Sequence, residues 1–385
     1  MNKIKLCAIS TVSNTINAFM LESLIDLSNK GFEITIISDM QDGFIEKVPS
    51  AIKCIDLKME RKADIKGGLK ATYKLYRIFK TEKFDIVQYA TPNASFYASI
   101  AAFSAKIPKR LYLQWGIRYV GFKGMKRLFY KNIERTICLL STNIRPASKK
   151  NLQFAVDEKL YRKQKAKVIG DGGTLGVDLK NYKQFATNEH IKRMREKLNF
   201  KNKFVFGFVG SIRKDKGVNE LLQAFKKVVL EYPNTHLLIL GKEFPGDPIN
   251  THLKKWAINS DKITFAGYVS NVPKYLSAID VLVHPSYREG FSMVIQEAQA
   301  LNKAVITTDI PGPSEVIDVN KTGVLVQSRD SEDLSKKMQL FLEQPELAHR
   351  MGKLGRKRVE ALFTRERMLR LTYEDRLNLY KEERS

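Results

Sequence analysis

Cysteine is scarce in this sequence, with only Cys7, Cys54 and Cys138 among 385 residues. They are far apart and form no C-x-x-C pair, which excludes a disulfide framework and a zinc site and leaves buried free thiols as the expectation. Long apolar runs are missing as well. The longest stretch of low charge, Ala94 to Ala105, contains three serines and falls short of the roughly 20 residues that span a bilayer. The opening MNKIKLCAIS turns polar too early for a secretory signal, so a soluble cytoplasmic protein is expected. No G-x-x-x-x-G-K-[ST] element is present, which speaks against P-loop hydrolysis of ATP.

Acidic residues are few relative to basic ones. Sixty-six Lys and Arg face 41 Asp and Glu, a formal charge of +25, so the surface favours anionic partners. Between Lys106 and Lys167 there are about 17 basic residues against about 3 acidic ones, a local bias rather than a uniform one. Phe122, Met125, Leu128, Phe129 and Tyr130 are interleaved there with Lys123, Lys126, Arg127 and Lys131. Basic and apolar residues mixed in this way suit an anionic membrane surface. A nucleic-acid partner would explain the charge, but no RNA- or DNA-binding module is recognisable, and none is expected.

What is present is a chain with 43% apolar residues, long enough for two α/β domains, each with its own core. Short β-rich runs alternate with amphipathic stretches in both halves, the βαβ signature of parallel sheets covered by helices. Strands are expected at Lys3–Ser10, Glu33–Ser38, Asp85–Ala90, Arg110–Trp115, Asn143–Ala147 and Lys167–Ile169. The second half should hold Phe204–Val209, His236–Leu240, Ile263–Phe265, Val281–His284, Ala304–Thr307 and Val324–Val326. The turn-rich Gly170–Asp178 marks the junction. Domains of residues 1–178 and 179–363 follow, with 364–385 a helical segment packing back through Met368, Leu369, Leu371, Leu377 and Tyr380.

Three segments carry chemistry. His284 to Ala298 leaves a strand, turns through Pro285 and Gly290, and enters a helix whose first amides would favour a diphosphate. Glu289 and Glu297 lie eight residues apart along it, separated enough to accept hydroxyls from two different rings. Two glutamates at that distance are also an ordinary surface pattern. Gly210-Ser211-Ile212-Arg213-Lys214-Asp215-Lys216-Gly217 follows the apolar FVFGFV; its Arg fork and Lys point charge suit phosphate oxygens. Asp309 to Val316, with Pro311, Gly312 and Pro313, is a rigid turn at the carboxyl edge of a sheet, where ligands of open α/β folds bind.

Taken in order, these segments resemble the family 4 glycosyltransferases of the GT-B fold, over about Phe204 to Val326. The carriers are the glycine loop with Arg213 and Lys216, the E-x7-E pair Glu289 and Glu297 within PS-x-x-EGF-S, the helix EAQA, GPSEVI and TGVLV. The resemblance implies two Rossmann-like domains with parallel sheets facing across a cleft, the acceptor domain first and the donor domain second. It implies a retaining hexosyl- or N-acetylhexosaminyl-transferase that uses a nucleoside diphosphate sugar, with UDP or GDP as the nucleotide, no cofactor and no metal. Glu297 would hold the ribose, Glu289 would contact the transferred sugar, and Arg213 with Lys216 would bind the diphosphate. Gly210, Ser211 and the backbone of Gly290, Phe291, Ser292 and Met293 would assist. Ser211 stands where many members carry Arg, leaving Arg213 to take over that contact.

In the first half, Tyr89 to Asn93 and Gln114 to Arg118 resemble the family's acceptor-side loops, so Asn93, Trp115 and Arg118 are the acceptor-side candidates. Trp115 replaces a common histidine, and no histidine role carries over. The implied acceptor is a saccharide or a polyprenyl-diphosphate-linked sugar, in assembly of a capsule or O-antigen at the inner face of the plasma membrane. A nucleotide-sugar epimerase of the same fold is the rival.

Overall fold

The computed structural model describes residues 3–59 and 65–382. The chain divides into two units, Met1–Leu175 with Glu366–Ser385, and Gly176–Arg365. The break falls inside the glycine-rich Gly170–Asp178 segment.

In the first unit, strands β1 (Ile4–Val12), β2 (Phe32–Asp39), β3 (Lys53–Asp56), β4 (Ile86–Tyr89), β5 (Lys109–Gln114) and β6 (Asn143–Pro146) form one sheet. Its order is β3-β2-β1-β4-β5-β6, and the pairings are parallel. Side chains alternate across β1: Cys7 and Ile9 enter one core with Val87 and Tyr89, while Leu6 and Ala8 enter another with Ile34 and Ile36. A parallel sheet covered on both faces explains why these strands read as continuous apolar runs.

One expected strand is absent. Lys167–Ile169 forms no strand; the chain there touches β6 only through a bridge from Ala166 to Ile144 and the Lys167 amide on the Ile144 carbonyl. The sixth place belongs to β3, whose Lys53, Cys54, Ile55 and Asp56 lack the β-branched density that marks its neighbours. Cys7 and Cys138 are buried free thiols, and Cys54 is half-buried.

The second unit repeats the plan. Strands β7 (Phe204–Val209), β8 (Thr235–Leu240), β9 (Ile263–Gly267), β10 (Val281–His284), β11 (Ala304–Thr308) and β12 (Gly323–Val326) lie in the order β12-β11-β10-β7-β8-β9. Renumbered from its own first strand, each sheet has the doubly wound order of dinucleotide-binding folds. Helix Val218–Glu231 buries Val218, Leu221, Leu222, Phe225 and Val228, the stripe that a 3.6-residue period places on one face.

Helix Arg365–Lys381 returns to the first unit, with Leu379 in its core and Tyr373 edge-on to Phe32 at 6.2 Å. The expected apolar stripe is only partly buried, and Tyr380 is exposed. Asp375 and Arg376 are buried instead, because Arg145 and Gln88 of the first unit receive them. The last three residues of the expected helical segment lie outside the described ones. No described helix is long and apolar enough to cross a membrane.

Candidate active site

β7 and β10 are neighbours, with Val281 opposite Phe206 and Leu282 opposite Gly207. They are the first and fourth strands of their sheet, so connections run away from each other on either side. Loops leaving their carboxyl ends therefore border the crevice where open α/β sheets bind ligands. The loop after β7 touches the loop after β10 closely. A Cβ at Gly217, whose φ is +71°, would lie 2.0 Å from the Pro285 carbonyl oxygen, so only glycine fits there. The Tyr287 amide donates to the Asp215 carbonyl at 2.9 Å.

The loop after β11 is fastened to the same place. Thr307 and Thr308 hydroxyls donate to the His284 and Ser286 carbonyls at 3.0 and 2.6 Å. At Gly312, with φ of +95°, a Cβ would sit 1.9 Å from the Gly290 carbonyl oxygen. The three motif segments of the second half thus meet backbone to backbone.

Lys216 and Glu289 form an ion pair across the first two loops. The Glu289 Oε1 that takes the Lys216 ammonium also faces Ser286 Oγ at 3.2 Å and His284 Nε2 at 3.4 Å. Burial pushes the Glu289 pKa up, but Lys216 and His284 outweigh it and hold the carboxyl far below the usual range. Glu289 is therefore a fixed carboxylate, held where hydroxyl donors can approach its other oxygen. Arg213 is engaged differently. Its guanidinium meets Asp215 with Nε–Oδ1 at 2.5 Å and Nη2–Oδ2 at 3.0 Å, and it lies 5.2 Å from the Phe244 ring centroid. Arg288 reaches the same Asp215 at 2.9 Å. Ser211 is exposed beside Gly210.

Helix Met293–Ala300 begins at Ser292, whose hydroxyl turns to His284 Nε2 at 3.2 Å rather than capping its own helix. Gly290 joins that helix start to Glu289. Phe291 is buried and meets Phe363 at 5.5 Å, so its side chain belongs to the core and only its backbone faces the loops. Met293 Sδ accepts from Gln296 Nε2 at 3.6 Å. Glu297, further along, is hydrogen-bonded by Tyr182; burial pushes its pKa up to about 7, against the lowering pull of Tyr182 and Arg365. The two glutamates have opposite electrostatics: Glu289 is locked as an anion, while Glu297 is poised to gain or lose a proton near neutrality.

In the first unit Arg118 Nη1 donates to Asn93 Oδ1 at 3.4 Å and its guanidinium lies 4.4 Å from the Tyr130 ring, so two acceptor-side candidates meet. Trp115 turns instead to Phe19, with ring centroids 5.7 Å apart. On helix Gly124–Leu140, Met125, Leu128 and Phe129 are exposed. Part of the basic character beside them is neutralised, since Arg127 and Lys131 both pair with Glu158. Lys126 stays over the Phe122 ring at 4.6 Å.

Residues 190–358 match the model of the glycosyl transferases group 1 family, and residues 5–148 match a glycosyl transferase 4-like model. The capsular polysaccharide biosynthesis glycosyltransferase CapM of Staphylococcus aureus is 30% identical over 80% of this chain and 80% of its own. The chain belongs to the glycosyl transferases group 1 family. An N,N'-diacetylbacillosaminyl-diphospho-undecaprenol alpha-1,3-N-acetylgalactosaminyltransferase of Campylobacter jejuni is 26% identical over 74% of this chain and 75% of its own. Among solved structures, Anabaena Alr3699/HepE in complex with UDP and glucose superimposes with a TM-score of 0.78 at 18% identity, covering 98% of this chain and 100% of that one. At that identity the likeness establishes the fold, which is GT-B.

Several residues of this candidate site escape motif reading. His284 and Ser286 were visible only as the end of a strand and its turn, yet both face Glu289. Arg288 and Asp247 complete the Asp215 network, the latter by accepting the Asp215 amide at 3.0 Å. Tyr182 and Arg365 lie 115 residues before and 68 after Glu297 in the sequence, and no local spacing could have signalled that they would meet it.

Proposed function

We propose that this glycosyltransferase is a retaining enzyme that moves a hexosyl or N-acetylhexosaminyl group from a UDP- or GDP-sugar to a saccharide or polyprenyl-diphosphate-linked acceptor in bacterial surface polysaccharide synthesis. The observation that carries this is the Lys216–Glu289 pair at the reversal between β7 and β10, beside the amides that open helix Met293–Ala300. A cation and oriented amides stabilise the diphosphate as charge develops on the leaving group, and a neighbouring fixed carboxylate accepts hydroxyls of the transferred sugar. Lys216, Arg213 and those amides supply the positive charge, so no metal is assigned to the step. Glu297 takes the ribose hydroxyls. The acceptor oxygen attacks the face from which the diphosphate departs, and a diphosphate oxygen takes its proton, which needs no covalent nucleophile from the protein.

The enzyme works in the cytoplasm against the inner face of the plasma membrane, without a nucleic-acid partner. Exposed Met125, Leu128 and Phe129, with Lys123 and Lys126 beside them, form the contacting surface. Asn93 and Arg118 lie on the acceptor side, and the UDP in HepE and the diphospho-undecaprenol acceptor in the Campylobacter relative's name fit this assignment.

The test is a thermal-shift comparison of UDP, GDP, ADP and CDP, where ligand at about 100 times its Kd raises stability by roughly 2.7 kcal/mol. One nucleotide should stabilise the protein selectively, and Lys216→Ala should abolish the response. No response to any of them would remove the donor site. Nucleotide-sugar cleavage without a glycosylated product would favour an epimerase.

A further inference from the structure

Strand β10 is apolar through Val281, Leu282 and Val283 and then ends on His284, whose ring is buried with them at 4% exposure. A polar ring at the end of a buried strand is unfavourable unless it is hydrogen-bonded. His284 is fixed by the sheet itself: it pairs with Thr307 of β11, and its carbonyl accepts from Thr307 Oγ1 at 3.0 Å. From that place Nε2 lies 3.4 Å from Glu289 Oε1 and 3.2 Å from Ser292 Oγ. Nδ1 is enclosed and has no partner among the described residues.

The carboxylate decides which ring nitrogen carries the proton. Glu289 is held ionised, so a lone pair on Nε2 would face an anion, and the hydrogen belongs on Nε2. That single N–H is shared by Glu289 and by Ser292, the residue at which helix Met293–Ala300 starts. The other two groups on Glu289 Oε1 are less suited to hold it. Lys216 comes from the β7 loop and has the diphosphate to serve, and Ser286 stands in the same loop as Glu289, three residues before it. Of the three partners, His284 alone reaches from a strand, and groups anchored on strands hold a site more precisely than groups on loops.

We infer that His284 is a positioning residue for the transferred sugar, its Nε2–H fixing Glu289 Oε1 against the helix start while Oε2 is left to a sugar hydroxyl. The inference rests on the donor site proposed above. When a diphosphate draws the Lys216 ammonium, Glu289 keeps the imidazole N–H and stays in place. The effect of His284 therefore falls on the sugar half of the donor and spares the nucleotide half.

Gln and Asn at position 284 separate this role from simple packing. The Gln amide nitrogen stands as many bonds from Cβ as Nε2 does, whereas the Asn nitrogen stops one bond short, beside the place of Nδ1. Full-length wild type, His284→Gln and His284→Asn are titrated calorimetrically with UDP and GDP, and with UDP-glucose, UDP-galactose, UDP-N-acetylglucosamine, UDP-N-acetylgalactosamine and GDP-mannose. His284→Asn should bind the preferred nucleotide sugar about tenfold more weakly, the loss of one hydrogen bond to a charged group. Its affinity for the bare nucleotide should stay within about twofold of wild type, and His284→Gln should restore most of the nucleotide-sugar affinity. Equal losses for nucleotide and nucleotide sugar, or His284→Gln as weak as His284→Asn, would overturn the inference.

If the variants do not fold, nitrogen-15 labelling of the five histidines in the wild type decides, with His284 taken as the ring whose shifts move most in Glu289→Gln. Protonation at Nε2 supports the role, and protonation at Nδ1 refutes it. The two readings fail differently. A wild type that binds no nucleotide removes the donor site and this role with it, whereas nucleotide binding with no selective loss in His284→Asn removes only the role of His284.

Discussion

On the proposed assignment of Glu297 to the ribose, donor binding is a proton-coupled event. Burial pushes its pKa up to about 7 in the protein without nucleotide, so the carboxyl is mostly protonated in mildly acidic solution. Holding two ribose hydroxyls requires both oxygens as acceptors, which favours the ionised form. Binding then releases a proton below neutrality, and affinity rises with pH. With an apo pKa of about 7 and a bound pKa restored towards the ordinary carboxylate value, affinity should fall about tenfold, or roughly 1.4 kcal/mol, from about pH 8 to about pH 6.

The assay is isothermal titration of the nucleoside diphosphate sugar that gives the largest thermal shift, repeated in two buffers of different ionisation enthalpy to count the proton. Glu297→Gln should bind weakly with a flat profile. Tyr182→Phe removes a hydrogen bond that lowers the Glu297 pKa, so its profile should move to higher pH. A flat wild-type profile, or an unchanged slope in Glu297→Gln, would refute the coupling.

Lys216→Ala should cut kcat/KM more than about a hundredfold, roughly 3 kcal/mol of transition-state stabilisation, and lower Tm because Glu289 loses its cation; initial rates and calorimetry check both. Gly217→Ala should destabilise by more than about 1 kcal/mol, since an L side chain is disfavoured at a φ of +71° and its Cβ would strike Pro285; a Tm within experimental error of wild type would contradict the loop contact. Glu134, buried where its Oε1 accepts from Tyr112 and Gln114, has its pKa pushed up to about 7 by burial. Its stabilising contribution is full below the ordinary carboxylate pKa and is lost as pH rises through about 7, on the order of 3 kcal/mol. Glu134→Gln should therefore gain Tm relative to wild type as pH rises, measured by calorimetry across that window.

Much of the second unit was legible in advance because its signals are local. β7 and β10 appear as apolar runs with the expected bounds, and the glycine loop and the E-x7-E segment follow them directly. The first unit was less legible: β3 is too short and polar to announce itself, while Lys167–Ile169 is apolar enough to mimic a strand but finds only a bridge at the β6 edge. Periodicity also favoured an apolar face for the C-terminal helix, whereas the fold buries Asp375 and Arg376. Burial there depends on Arg145 and Gln88, more than 200 residues earlier.

The sequence by itself determined the fold class, the order of strands in the second unit, and which residue types stand at the carboxyl edge of the second sheet, since propensity, period and turn chemistry act within a few residues. Only the tertiary structure decided how those residues are charged and paired. Lys216 meets Glu289, Tyr182 meets Glu297, and Asp375 gathers two arginines because strand order brings distant segments together, and low-dielectric burial then sets which carboxyl keeps its proton.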